Sequence, residues 1–246
     1  MTPSAWSRTT VDRIRASAVI AAAGRGKRFG DGTPKQFLPL LGKPVLAYSV
    51  ETFSKSGLID EIVLVVPDDW AVKAKTDIAD KLHAHKITKI ISGGPERQDS
   101  VLNGLNSISG NPDVVVVHDG ARPLVTLELL EEVIGEASAC GGAIAALPSG
   151  DTVKKSSPEM YVDGTVPRET LFFAQTPQAF RFDVLKNALS AASRDGFLGT
   201  DESQLVERTG VKVKIVKGSP YNIKITTAQD LRLGELILRE QASAPK

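Results

Sequence analysis

Five short apolar runs, each followed by a segment of helical periodicity, constrain this chain more than any other feature of its sequence. The runs are SAVIAAA (17–23), EIVLVVP (61–67), KITKIISGG (86–94), DVVVVHDGARP (113–123) and GAIAALP (142–148). They are apolar without alternation, the pattern of strands buried on both faces. Between them lie KPVLAYSVETF, DDWAVKAKTDIADKLHA (with an Asp cap), ERQDSVLNGLNSI and TLELLEEVIGEASA, all read as helices. A β-α-β-α-β order implies a mostly parallel sheet with helices on both faces, a three-layer α/β/α arrangement.

After residue 148 the rhythm changes. SGDTVKKSSPEMYVDGTVPRETLFF (149–173) is polar and β-branched around Ser-Pro and Asp-Gly turns, and reads as a two-stranded arm with little core of its own. QTPQAF follows, then a helix near 182–193, a capped helix from Thr200, VKVKIV, YNIKIT and a last helix, TAQDLRLGELILRE. We expect one domain over 17–246 after a loose tail at 1–16.

The 30 Lys and Arg against 29 Asp and Glu leave a net charge of +1, which points away from a nucleic-acid or acidic-membrane partner. No apolar run reaches the ~18 residues of a membrane span. The single cysteine, Cys140, has no partner for an internal disulfide and reads as a small hydrophobe at a helix end. The N-terminus lacks the apolar core of a secretory signal, so a cytoplasmic setting is expected.

In parallel α/β sheets, ligands sit beyond the carboxyl ends of the strands. Three loops there are chemically loaded: 24–35, 92–100 and 118–123. AAAGRGKRFGDGTPKQF (21–37) is neither a dinucleotide fingerprint nor a P-loop, because Phe29 stands where either needs a third glycine. Its glycines admit phosphate to the backbone, and Arg28 and Lys35 can neutralise a triphosphate; a solvated basic loop is the alternative. SGGPERQDSV reads either as a flat-ligand pocket or as a turn with an N-cap. Asp119 can hold Mg²⁺ or a ribose hydroxyl and Arg122 can hold phosphate, or the two can simply pair. His118 reads as a packed strand-end residue, and His83 and His85 as solvent-facing. No Ser/His/Asp set, Cys nucleophile or HExxH is present. What remains is phosphate positioning and charge neutralisation, suited to phosphoryl or nucleotidyl transfer.

Read in order, AAAGRGKRF, TPKQF, GGPERQDSV, HDGARP, DTVK, QTPQAF, TDESQLVE and NIKITT resemble the 2-C-methyl-D-erythritol 4-phosphate cytidylyltransferase family over residues 21–227. The resemblance implies a Rossmann-like nucleotidyltransferase fold with a protruding β-arm. It implies a reaction of CTP with a polyol phosphate, aided by Mg²⁺ or another divalent cation, and a homodimer joined through the arms. By the same resemblance Arg28 and Lys35 stabilise the transition state. Arg168 and Lys224 position the acceptor phosphate, and Thr152, Thr176 and Thr200 make further acceptor contacts. Ala22, Ala23, Gly24, Gly26, Gly93, Gly94, Ser100, Asp119 and Arg122 fall at CTP, with Asp119 also a metal candidate.

Two positions depart from the family pattern. Pro95 offers no amide donor, and Gly120 replaces a frequent alanine, which should loosen the loop at Asp119. Ribitol-5-phosphate cytidylyltransferases share TPKQF and QTPQ but tend to differ at HDGARP and TDES. Purine or sugar-1-phosphate nucleotidyltransferases share only the first loop. A non-catalytic nucleotide-binding module is the alternative from another class, against which Arg28, Lys35 and Lys224 stand.

Overall fold

In the computed structural model, which describes residues 13–24 and 32–243, the five apolar runs form five strands of one sheet. They are β1 (Ala16–Ala21), β4 (Ile59–Val66), β5 (Ile87–Ser92), β6 (Val114–Asp119) and β7 (Gly142–Pro148). A small hairpin, β2 (Pro39–Leu40) and β3 (Lys43–Pro44), precedes the first helix. The arm is the antiparallel pair β8 (Val153–Ser156) and β9 (Val162–Val166). The chain returns through β10 (Phe172–Arg181) and ends the sheet with β11 (Lys214–Lys217). The sheet runs β11-β7-β10-β6-β1-β4-β5; every strand is parallel except β10, antiparallel to both β6 and β7.

Period-two alternation splits each strand between two cores. Ala18 and Ile20 of β1, Leu64 of β4, and Val114 and Val116 of β6 face one layer. Leu46 and Phe53 of α1 (Val45–Lys55) and Leu130 and Ile134 of α4 (Leu127–Cys140) pack there. So do Ala74 of α2 (Ala71–Ala74) and Ile78 just after it. Val19, Val63, Val65, Val115 and Val117 face the other layer. Its helices are α3 (Arg97–Ser107), α5 (Phe182–Asp195) and α6 (Glu202–Glu207), contributing Val101, Leu105, Leu185, Leu189 and Leu205. A third, small cluster of Leu40, Val45 and Ile225 seats α7 (Ala228–Ser243).

Several local expectations change. The segment 68–84 is not one capped helix: a 3₁₀ turn (Asp68–Trp70) leads into α2 and a π-helical stretch (Lys75–Asp80). Asp68 caps nothing; its carboxylate accepts from the Ser92 hydroxyl at 2.6 Å. The helix expected from Thr200 is capped by Asp201, whose carboxylate accepts from the Gln204 amide. Ala16, placed in the expected tail, begins β1, and the Arg15 amide donates to Asp113 at 2.9 Å. QTPQAF forms the middle of β10. Two extra residues bulge between its pairings at Ala174 and Gln178, and they take Pro177 out of the ladder.

At the rim opposite the carboxyl ends of the strands, Glu61 is 6% exposed and ties three segments together. It accepts from Thr88 Oγ1 at 2.6 Å and from the amide and hydroxyl of Ser109, both at 2.9 Å. Burial pushes its carboxyl up, yet these hydrogen bonds leave it below the ordinary value. Glu61→Ala should cost about 1–2 kcal/mol in denaturant unfolding, because it removes three hydrogen bonds to a buried carboxylate, while the exposed Thr88 and Ser109 can turn to water. Being at the far rim, it should leave kcat/KM within about twofold at temperatures where the variant stays folded.

Candidate active site

The carboxyl ends of β1, β5 and β6 meet at one rim, as parallel topology requires. There Ala21–Gly24, Lys35 and Gln36, then Gly94–Arg97 and Ser100, then Asp119, Ala121 and Lys224 line a cavity of about 490 Å³. A second cavity of about 260 Å³ adjoins it, walled by Gln175, Thr176, Gln178, Thr200, Asp201 and Arg122. Arg97, Asp119 and Lys224 line both.

Asp119 is the hub of the charge. Lys224 Nζ lies 2.7 Å from its Oδ2, Arg97 Nε 3.1 Å from its Oδ1, and Arg122 Nε 3.8 Å from Oδ2. Burial alone would push this carboxyl up; Arg97, Lys224 and Arg122 outweigh it and hold Asp119 well below the usual carboxylate range. Arg97 also forks onto Glu202 at 2.7 and 2.9 Å. Burial pushes the fully buried Glu202 up and Arg97 pulls it back, while Arg97 itself is held cationic by Glu202 and Asp119 against its own burial. The junction of the two cavities therefore holds three cations against the two carboxylates Asp119 and Glu202, a net positive set suited to polyanionic ligands.

His118 fixes the loop beneath. It is fully buried and contacts Arg122 O through Nε2 at 3.1 Å and Thr176 Oγ1 through Nδ1 at 3.0 Å. A carbonyl only accepts, so Nε2 carries the hydrogen and Nδ1 accepts from the Thr176 hydroxyl. The same hydroxyl accepts from the Asp119 amide at 3.0 Å. Burial pushes His118 down to about 4, so the ring is neutral.

The expected site residues fall into distinct groups. Ala22, Ala23, Gly24, Lys35, Gly94, Ser100 and Asp119 line the larger cavity. Gly93 sits just behind it, where a Cβ would overlap Ala23 Cβ and Ser100 Oγ; packing within the protein, rather than approach to a ligand, requires glycine there. Lys224 lies at the junction, and Arg122 and Thr200 line the smaller cavity. Arg122 is bound inward, its Nη1 donating to Asn222 O at 2.7 Å. Thr176 walls the smaller cavity, but its hydroxyl is engaged by His118 and Asp119 rather than offered to an acceptor. Thr152 and Arg168 line neither cavity; both are exposed at the base of the arm, where Arg168 Nη1 donates to Gly150 O at 2.8 Å. Gly26 and Arg28 lie outside the described residues.

Gly120 does not loosen its loop. Its amide donates to Ala21 O at 2.9 Å, and a Cβ there would overlap Leu46 and Ala22. Sequence reasoning missed Arg97, Glu202 and Gln36. Arg97 stood inside a quoted motif, but only the fold shows that it faces Asp119.

Metal fit can be judged from the same geometry. Among the described residues, no group of three His, Cys, Asp or Glu side chains could cage an ion. Asp119 is ionised on the cavity wall, but Arg97 and Lys224 hold its two oxygens, so it could offer a divalent cation its one carboxylate only where Lys224 turns away.

Comparison with known proteins decides the family. The model of the 2-C-methyl-D-erythritol 4-phosphate cytidylyltransferase family matches residues 16–240. This chain belongs to that family. A cytidylyltransferase of this name from Symbiobacterium thermophilum is 46% identical over 94% of this chain and 95% of its own length. One from Geobacter metallireducens is 43% identical over 91% and 97%. The solved 4-diphosphocytidyl-2C-methyl-D-erythritol synthase of Anaerococcus prevotii superposes with a TM-score of 0.81 at 33% identity, covering 93% of this chain and 98% of that one. The Thermus thermophilus cytidylyltransferase gives 0.75 at 32% identity, over 92% and 100%.

The state of His118 makes stability pH-dependent in a defined direction. Its ordinary value of 6.5 in the unfolded chain falls to about 4 in the fold, so the unfolded chain binds more protons in that interval. Stability contributed by neutral His118 is complete above pH ~6.5 and is lost as pH falls toward ~4, by up to about 3 kcal/mol. Urea unfolding at pH 7.5 and 4.5 should show that loss in the wild type, and a smaller pH-dependent loss in His118→Phe.

Proposed function

We propose that this chain transfers the cytidylyl group of CTP to 2-C-methyl-D-erythritol 4-phosphate, giving the CDP-methylerythritol and pyrophosphate. Membership of the family supports the reading. The observation that carries it is the cationic junction of Arg97, Lys224 and Asp119 between a glycine-lined cavity of about 490 Å³ and a smaller polar one of about 260 Å³. The nucleotide fits the first and the acceptor phosphate the second.

An oxygen of the acceptor phosphate forms the new bond to the α-phosphorus of CTP, and the bond from that phosphorus to the β-phosphate bridging oxygen breaks as pyrophosphate leaves. The attacking phosphate is an anion near neutral pH, so no general base is required. The barrier is repulsion between anions, which cations already in place reduce. Lys35 serves the nucleotide side, and Lys224 can turn from Asp119 to the acceptor phosphate. By the family resemblance Arg28 shares with Lys35 the role of stabilising the transition state. Bound Mg²⁺ would neutralise phosphate charge, with Asp119 the carboxylate placed to hold it.

The acceptor side is completed by a second copy of the chain in this reading. Thr152 and Arg168 sit at the base of an arm that exposes Met160 (83%), Tyr161 (76%) and Val162 (67%), a surface suited to burial in a homodimer. Small-molecule substrates, with neither nucleic acid nor membrane, match the near-neutral charge. Among the described residues no helix is long and apolar enough to cross a membrane. A cytoplasmic setting remains our expectation from the single cysteine.

Pyrophosphate release from CTP with Mg²⁺, measured side by side with methylerythritol phosphate and ribitol 5-phosphate, tests the reaction. Turnover with the first acceptor alone is expected; preference for ribitol 5-phosphate, or none with either, would reject the reading. Lys35→Ala and Lys224→Ala should each lower kcat about 10²–10³-fold with the fold intact by circular dichroism. Arg168→Ala should raise KM for the polyol phosphate at least tenfold and leave KM for CTP unchanged. Deletion of 152–166 should convert a dimer to monomer in light scattering.

A further inference from the structure

Gln36 stands in the TPKQF stretch directly after Lys35, and no role attaches to it from the family resemblance. It is only 2% exposed, yet it lines the larger cavity. Its carboxamide nitrogen donates to two carbonyls at the end of β1, Ala22 O and, at 3.1 Å, Gly24 O. Both hydrogens of the amide are thus directed at one short stretch of backbone.

We propose that Gln36 is a positioning residue that sets the nucleotide-facing end of β1 and Lys35 relative to one another, and so governs CTP binding. The inference rests on assigning this cavity to CTP. In a trans, planar peptide the carbonyl and the next amide point in opposite directions. Holding Ala22 O toward Gln36 therefore turns the Ala23 N–H the other way. The strand end is pinned elsewhere as well: the Ala22 amide donates to Val65 O at 2.7 Å, and Ala21 O accepts from the Gly120 amide.

The other half of the clamp is the short turn that carries Gln36. Lys35–Phe37 is a single 3₁₀ turn, closed by Phe37 N to Pro34 O at 2.8 Å. Phe37 is buried and packs on Trp70 with ring centroids 4.6 Å apart. The turn is thereby anchored in the core on one side of Gln36, and Lys35 lines the cavity on the other. Gln36 joins this anchored turn to the strand end, so Lys35 and Ala22–Gly24 cannot drift independently.

The chemistry demands this residue type. A carboxamide offers two N–H donors at one nitrogen; a carboxylate offers none and would face two carbonyls with negative charge. Methionine matches the length and burial of glutamine but makes neither bond.

Gln36→Met and Gln36→Glu, compared with wild type, test the proposal. Calorimetric titration with CTP should show at least tenfold weaker binding in Gln36→Met and a larger loss in Gln36→Glu. In steady state, KM for CTP should rise by a similar factor while KM for the polyol phosphate stays within twofold. Wild-type CTP affinity in the variants overturns the inference, as does an equal rise in both KM values, the mark of general loosening. If Gln36→Glu does not fold, Gln36→Met decides. Wild-type turnover with unchanged variants removes this inference alone; a wild type that releases no pyrophosphate from CTP removes the proposed function and this inference with it.

Discussion

The ionised carboxylate of Asp119 holds the rim of this protein together. Left alone, a carboxyl so buried would be neutral, and the cations around it would repel one another. Arg97, Lys224 and Arg122 gather around Asp119, with Glu202 behind Arg97, and the set keeps one excess positive charge at the rim. Breaking it by removing one partner would leave charge stranded in a poorly solvated place. The same cluster faces the two cavities, so the arrangement that makes the rim stable also prepares it for anions.

That cluster depends on layers beneath it. Thr176 and His118 tie the Asp119 amide and the Arg122 carbonyl into the end of β6. Thr176 lies in the stretch where β10 bulges against β7, just before its pairing with β6 begins at Gln178. Gln175 and Asn222 extend the network to the chain that carries Lys224: Asn222 Nδ2 donates to Thr176 O at 2.9 Å and Gln175 Nε2 to Ser219 O at 2.9 Å. A string of buried amides and hydroxyls thus connects residues far apart in sequence. Such groups hold position well because each lost bond would leave a buried polar atom unpaired.

Much of the fold was legible in the chain itself. Valines at 114–117 fit a strand covered on both faces, and the helices between the runs supply the cover. The reading failed where tertiary contacts override local pattern. QTPQAF showed no helix or strand pattern of its own, yet it lies in β10, where the bulge takes Pro177 out of the ladder. Asp68 followed by helical periodicity looked like a cap, but Ser92 across the sheet edge claims its carboxylate. Gly120 looked permissive, whereas Leu46 and Ala22 leave no room for a Cβ.

By itself the sequence determined the order of strands and helices, and hence that the loops after β1, β5 and β6 share one rim, because apolar periodicity is a local property and parallel crossover topology follows from it. It also put Lys35 and Asp119 in the chemically loaded loops, and the family resemblance added Lys224. Only the tertiary structure decided that Arg97 faces Asp119 and Glu202, that Thr176 turns inward, that Gln36 clamps the end of β1, and that Thr152 and Arg168 stand apart from their own chain's cavities. Those outcomes depend on distances between segments up to about a hundred residues apart, which no local pattern encodes.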